Sequence, residues 1–473
     1  MKKYFYFLIP IIAFLPQLIM SLNSFNQMRF EEFYEAVAGP FWFAQRQIIS
    51  GLHVNVGWYG FLVVVYNIFG FSLHTGKIIY LVMAFFSNFA LFYLLRRFFK
   101  VWMATLILLT ITLSPTYLYM NALNLHWALT FHILIVILLL LHFLDFKKKK
   151  LSLIITGGIF FLMMWGWLAY QAFVFYIPSL MIFYWWKYRS HLGGVKAHPR
   201  GVRLAVVAAT AFLLPLIMLF AYVDNRHILI ADTEAGGGLF RGGGQFEFSE
   251  NVFSQAWTDL ISDFFVKGVS HHYEVAQAEF SLIFPILTLV LIAYTLFIIF
   301  STAKIMKKLI LLSLLVIVFD IFVFSTTSDL GLPGMKRLTP MLVSIYFLWV
   351  ISLYYLGRLP RPFGARNDKG RLIGVVILSL LTIHHLIVYP INLAYIKEPS
   401  PFKVADWFDE ENPQKTVDEY VKIAQKQDLL LDCRPIIEKF GDCSYDFIYP
   451  AVSGSCQWGH LSCHQIMKNK YVY

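Results

Sequence analysis

Apolar segments of spanning length recur along residues 4–389, and nearly all the Lys and Arg between them fall in alternate loops. Lys2, Lys3, Arg96, Arg97, Lys100, Lys147 to Lys150, Lys187, Arg189, Lys196, Arg200, Arg203, Lys304, Lys307, Lys308, Arg358, Arg361, Arg366, Lys369 and Arg371 form one set, with Asp145 and Asp368 as its only carboxylates. The other set holds most of the acids, all four cysteines and the longest loops. Basic loops stay on the cytoplasmic side of a membrane, so this segregation orients the whole chain and puts its acidic loops on the outer face. Composition agrees: 58% of the residues are apolar and 14% charged, against about 25% charged in a soluble globule. The net charge of +11 sits at helix ends, where it meets anionic head groups. A basic face interleaved with aromatics on a soluble fold is missing, which excludes a nucleic-acid partner.

The pattern predicts an all-α polytopic membrane protein. Lys2-Lys3 followed by Tyr4–Leu22 reads as an uncleaved signal anchor, because the apolar run is long and no A-x-A-like site follows. Residues 23–57 form an outer loop. Trp58–Phe69 is apolar but short of the ~20 residues a span needs, and crossing there would put Arg96, Arg97 and Lys100 outside, so it is expected to be re-entrant or interfacial. The further expected spans are Lys77–Leu95, Trp102–Leu113 with its flanks up to a Ser114-Pro115 turn, Leu123–Phe146, Leu151–Trp167, Tyr170–Trp186, Val202–Tyr222, Phe280–Phe300, Leu309–Phe324, Leu338–Leu356 and Leu372–Tyr389. That makes about eleven spans, with the N-terminus cytoplasmic and the C-terminus extracytoplasmic, in the cell membrane (the cytoplasmic membrane in a prokaryote, the ER in a eukaryote).

Composition changes at Pro390. The sequence therefore divides into a transmembrane domain, 1–395, with outer loops 23–57 and 223–278, and an extracytoplasmic tail, 396–473. The tail holds Cys433, Cys443, Cys456 and Cys463, all the cysteines of the chain. Four cysteines confined to an outer tail predict two disulfides in an oxidising compartment, with three pairings open. Their spacing lacks the C-x-x-C knuckles of structural zinc.

The first outer loop reads Arg29-Phe30-Glu31-Glu32-Phe33-Tyr34-Glu35. Adjacent carboxylates repel when both ionise, so one proton is held more tightly than usual, which suits a general base. The same residues also suit a solvated amphipathic helix on the bilayer. In the long loop, Gly236-Gly237-Gly238 and Gly242-Gly243-Gly244 flank Arg241; glycine-rich backbone can meet phosphate with its amides or serve as a linker. His271, His272 and Glu274 follow, and with Glu31 or Glu32 they offer donors for a divalent metal, though such residues are commonly surface or packing groups. Asp320 lies within an expected span, where a carboxylate is costly; interhelical packing is the favoured role. His132, His142, His384 and His385 are expected to hydrogen-bond between helices.

Taken in order, Glu31-Glu32-Phe33-Tyr34, Ala36-Val37-Ala38-Gly39, His53, Trp58-Tyr59-Gly60-Phe61 and Asn67-Ile68-Phe69-Gly70 resemble the start of GT-C membrane glycosyltransferases. The likeness is to the group that uses dolichyl- or polyprenyl-phosphate sugars, which includes the protein mannosyltransferases and the aminoarabinose transferases. In that superfamily an acidic motif follows the first helix, then a small amphipathic helix, a short Tyr/Gly segment ending in Phe-Gly, and a helix ending in Arg-Arg, here Arg96-Arg97. Leu113-Ser114-Pro115 and Lys336-Arg337-Leu338-Thr339-Pro340 also look like the family. The first acid is Glu31 where Asp is more usual, and Asn121-Ala122-Leu123-Asn124-Leu125-His126 stands where many members carry an acidic or Arg-bearing motif.

The resemblance implies a hexosyltransferase that moves a sugar from a polyprenyl-phosphate donor to a glycan, lipid or protein acceptor on the outer face, with inversion. It gives the base to Glu31 or Glu32 and the donor phosphate to Arg337 with Lys336, guanidinium being suited to bidentate phosphate binding. Tyr34, His53, Tyr59, Arg241, His271 and His272 are further substrate-contact candidates. Three rivals remain: a transporter or flippase of a lipid-linked substrate, which would show repeated halves and broken helices; a glycan polymerase or ligase of similar layout; and an inactive relative acting as a scaffold.

Overall fold

The computed structural model describes residues 5–224 apart from short gaps at 27–31, 33, 47–54, 98, 124–125, 171–172, 175 and 193–198, then 368–397 and a few positions between 412 and 418. The regular structure in these residues is helical. In chain order it comprises α1 (Phe5–Asn23), a π-helical turn (Tyr34–Ala38), α2 (Gly39–Ala44), α3 (Val56–Phe69), α4 (Leu73–Leu95), α5 (Val101–Thr112) and α6 (Pro115–Ala122). These are followed by α7 (His126–Phe143), α8 (Lys149–Ala169), α9 (Tyr176–Leu192), α10 (Pro199–Tyr222) and α11 (Asp368–Lys397).

The expected count of about eleven spans is corrected. Among the described residues four helices are long and apolar enough to cross a bilayer: Tyr6–Asn23 in α1, α4, α8, and Gly201–Tyr222 in α10. Val56–Phe69, Val101–Thr112, Ala128–Phe143 and Leu378–Ala394 are shorter apolar helical stretches. Helix-ending signals inside the apolar runs shorten some of the helices in the described residues. Ser114 accepts a hydrogen bond from the Tyr117 amide at 3.4 Å and, with Pro115 in the first turn, starts α6 rather than marking a turn between two spans. In the run expected to start at Tyr170, α8 ends at Ala169 and α9 starts at Tyr176, carrying Lys187 and Arg189. The spans expected over 280–356 lie outside the described residues. No disulfide occurs among the described residues and all four cysteines lie outside them, so the expectation of a disulfide-bonded tail is withdrawn.

The packing is that of a multi-pass membrane protein, with polar groups inside and apolar ones outside. Phe7, Ile12, Phe86, Ile154 (72% exposed), Val206 and Ile217 face outward, where lipid tails cost them nothing. Inside, a polar seam joins the helices. His132 on α7 accepts from Ser87 on α4 (2.7 Å) and donates through Nε2 to Asn121 Oδ1 (2.9 Å). The Asn121 amide in turn donates to the Tyr117 carbonyl (2.7 Å), which fixes its orientation and so the histidine tautomer. Thr110 on α5 meets Thr382 on α11 (2.8 Å), and His385 donates from Nδ1 to the Thr110 carbonyl (2.9 Å). These are the interhelical roles expected of His132 and His385.

Two features position the site. Helix α3 buries Trp58, Tyr59, Leu62, Val65 and Tyr66, one face at helical spacing. At its start Gly57 lies against the end of α8, where a Cβ would come within 2.6 Å of the Ala169 nitrogen. Second, α10 is tied to the segment that follows α2. Arg46 pairs with Asp224 at 3.2 Å, its Nε donates to the Tyr222 carbonyl (3.0 Å), and the Asp224 amide donates to the Arg46 carbonyl (2.8 Å).

Candidate functional site

The acidic segment after α1 folds inward. Glu32 is fully buried and its Oε1 lies 3.3 Å from Nζ of Lys77, itself 1% exposed, in the second turn of α4. Lys77 also donates to the Ser24 carbonyl at 2.6 Å. That carbonyl belongs to the C-terminal end of α1, where helix carbonyls lack partners and a cation is favoured. The same end is fixed to α6 by Ser21 and Ser24 hydroxyls, which donate to the carbonyls of Asn121 (3.3 Å) and Ala122 (3.2 Å). One ammonium thus neutralises a buried carboxylate and caps the helix before it.

Three residues on, Glu35 sits in the π-helical turn. Such turns are rare and recur at functional sites. The widened turn is held by the Tyr66 hydroxyl, which donates to the Ala36 carbonyl at 2.7 Å. Glu35 Oε2 accepts the backbone N–H of His126 at 2.9 Å and a second, short hydrogen bond from His126 Nδ1. His126 opens α7, so the carboxylate caps a helix N-terminus, where backbone donors are unpaired and negative charge is favoured. The imidazole lies edge-on to Tyr170 at 4.8 Å between centroids, just beyond the end of α8. Its Nε2 is buried and has no hydrogen-bond partner among the described residues, and the same holds for Asn55 Nδ2 and Trp58 Nε1 at the start of α3.

Tyr59, from the same helix, packs its ring over Gly39. Burial first, and the Glu35 charge second, push its phenol well above the ordinary tyrosine range, so it stays protonated.

Of the residues singled out in the sequence, the structure brings Glu32 and Tyr59 into this region. Tyr34 lies in the π-helical turn. Glu31, His53, Arg241, His271, His272, Lys336, Arg337 and Asp320 lie outside the described residues. Among the described residues no three His, Cys, Asp or Glu side chains converge to hold a metal ion. Lys77, Glu35 and His126 carried no role in the sequence-based expectations. Lys77 had a readable signal: it is a lone cation at the end of a span opposite the basic loops.

No protein-family profile and no characterised protein sequence matches the chain. Among solved structures it is similar to ArnT from Cupriavidus metallidurans bound to undecaprenyl phosphate, with a TM-score of 0.43, 11% identity, and coverage of 88% of this chain and 80% of that one. It is also similar to the Archaeoglobus fulgidus oligosaccharyltransferase in its apo form, with a TM-score of 0.45, 13% identity, and coverage of 89% of this chain and 60% of that one. The oligosaccharyltransferase AglB from Archaeoglobus fulgidus, in complex with an inhibitory peptide and a dolichol-phosphate, gives 0.43 and 13%, with coverage of 89% and 59%. The chain thus spans about three fifths of each archaeal enzyme's length. At this level of likeness function must be argued from the residues.

Proposed function

We propose that the chain is an integral-membrane glycosyltransferase that moves a sugar from a polyprenyl-phosphate donor to a glycan, lipid or protein acceptor on the outer face of the membrane. One observation carries this reading. The acidic segment after α1, which the ordered motifs single out, buries two carboxylates three residues apart, one against an ammonium and one against an imidazole. Buried charges are expensive. A purely structural outer loop could have solvated these acids instead.

The chemistry suits such a place. A polyprenyl-linked donor keeps its tail in the bilayer and presents its phosphate at the interface. Glycosyl transfer needs a group to accept the acceptor's proton and cations to stabilise the departing phosphate. The resemblance gives the first task to Glu31 or Glu32 and the second to Arg337 with Lys336. Tyr34, His53, Tyr59, Arg241, His271 and His272 remain the candidates for substrate contact. The charge bias places the N-terminus in the cytoplasm and the C-terminus outside. On this reading 1–395 is the transmembrane domain that carries the reaction, and 396–473, set off by the composition change at Pro390, is an extracytoplasmic tail.

The test follows label from radiolabelled polyprenyl-phosphate sugars in detergent-solubilised protein supplied with host envelope extract. Loss of sugar from the lipid, strongly reduced in Arg337→Ala, is the expected result. Intact donor throughout, with folded protein and a range of sugars, would sink the proposal.

A further inference from the structure

We propose that the proton of the acceptor hydroxyl is taken by Nε2 of His126, held and charge-stabilised by Glu35, rather than by a carboxylate of the Glu31-Glu32 pair. The inference rests on the glycosyltransferase reading and assigns its base differently from the sequence resemblance.

The geometry points this way for three reasons. The carboxylate of Glu35 can only accept, so the hydrogen bond from His126 Nδ1 puts the ring proton on that nitrogen. Neutral His126 therefore carries its lone pair on Nε2, the buried atom with no partner among the described residues. A carboxylate behind Nδ1 fixes the tautomer and stabilises the imidazolium once it forms. Second, Glu32 is already committed to Lys77 at 3.3 Å. Taking a proton there would break the pair and leave the Lys77 ammonium buried without its counter-charge. Third, the junction offers groups suited to a hydroxyl-rich ligand. Asn55 Nδ2 and Trp58 Nε1 are buried donors without partners at the start of α3. Gly57, between them, packs on the end of α8, and Tyr170 just beyond touches the imidazole.

In the step, the acceptor oxygen forms a bond to the anomeric carbon while the bond from that carbon to the phosphate oxygen breaks. The hydroxyl proton passes to His126 Nε2, and the bond pair leaves with polyprenyl phosphate. The imidazolium, paired with Glu35, then releases its proton to water. Among the described residues the ionisable groups around the ring are Glu35 from the π-helical turn and Tyr170 from the end of α8, with Tyr59 on α3 and Tyr80 on α4 both feeling the Glu35 charge. The Lys77–Glu32 pair is the other charge of the cluster.

The experiment compares donor turnover by wild type, Glu31→Gln, Glu32→Gln, Glu35→Gln, His126→Gln and His126→Ala across pH. His126→Gln should lose about a hundred- to ten-thousand-fold in kcat with donor KM little changed, and added imidazole should restore part of the activity to His126→Ala. Glu35→Gln should lower kcat as well, because it removes the carboxylate that holds the His126 Nδ1 proton and fixes the tautomer. Wild-type turnover with His126→Gln equally active, or turnover lost only in Glu31→Gln or Glu32→Gln, overturns the assignment and leaves the transferase standing. No turnover in wild type removes the transferase and the assignment with it. A second readout needs no activity: ¹⁵N-histidine NMR, assigned by difference against His126→Gln, should show neutral His126 protonated at Nδ1. The Nε2-protonated tautomer would refute the proposal on its own.

Discussion

Replacing Lys77 by Met leaves Glu32 buried without its counter-charge. Both side chains are at most 1% exposed and lie 3.3 Å apart. Neither can reach water without the surrounding helices moving. Removing one partner of such a pair costs about 3–5 kcal/mol, dominated by the stranded charge. The Ser24 carbonyl loses its 2.6 Å donor as well, which puts the expected loss at the upper end. Lys77→Met paired with Glu32→Gln removes both charges and should recover most of the loss, since a neutral buried pair avoids the desolvation that makes the single variant costly. The assay is the thermal midpoint of detergent-solubilised protein by circular dichroism at one fixed scan rate, for wild type, both single variants and the double. The single lysine variant should melt several degrees lower and the double should lie between it and wild type. A single variant that melts with wild type, or a double no better than the single, would refute the claim that the pair is buried and mutually neutralising.

Gly57→Ala should destabilise by about 1–3 kcal/mol through overpacking, because the added carbon meets the Ala169 nitrogen at 2.6 Å; chemical denaturation in mixed micelles measures it. His132→Phe leaves the Ser87 hydroxyl and Asn121 Oδ1 buried without their partner and should cost about 1–3 kcal/mol per stranded group, read by the same denaturation. Arg46→Ala removes an ion pair whose side chains are 54% and 52% exposed and should change stability by under about 1 kcal/mol. It should nonetheless speed proteolysis near residue 224 by releasing the tie to α10, followed by limited digestion and mass spectrometry.

The four long helices were legible because each is a sustained apolar run. The short helix over 56–69 was legible too, from its length and from the arginines that follow. Helix α6 was missed although its start was written plainly: Ser114 followed by Pro115 is an N-cap and first-turn signature, where a bare turn between two spans was expected. In the site, the acidic segment stood out on its own, yet its partners did not. Lys77 lies 45 residues from Glu32 and His126 lies 91 residues from Glu35, separations at which no local periodicity connects them. Only the packing of α4 against α1, and of α7 against α4, brings them together. His126 was in view as part of a stretch lacking the usual acid; that it presents its backbone amide and ring to the same carboxylate is a tertiary fact.

The most direct measurement of the central claim is the stoichiometry of the reaction in purified, reconstituted protein: polyprenyl phosphate released against sugar gained by the acceptor. The account predicts one released lipid phosphate for each sugar transferred, dependent on the protein and lost with His126→Gln. Donor that crosses the bilayer intact, with no polyprenyl phosphate formed, would contradict it and identify a carrier of the lipid-linked sugar instead.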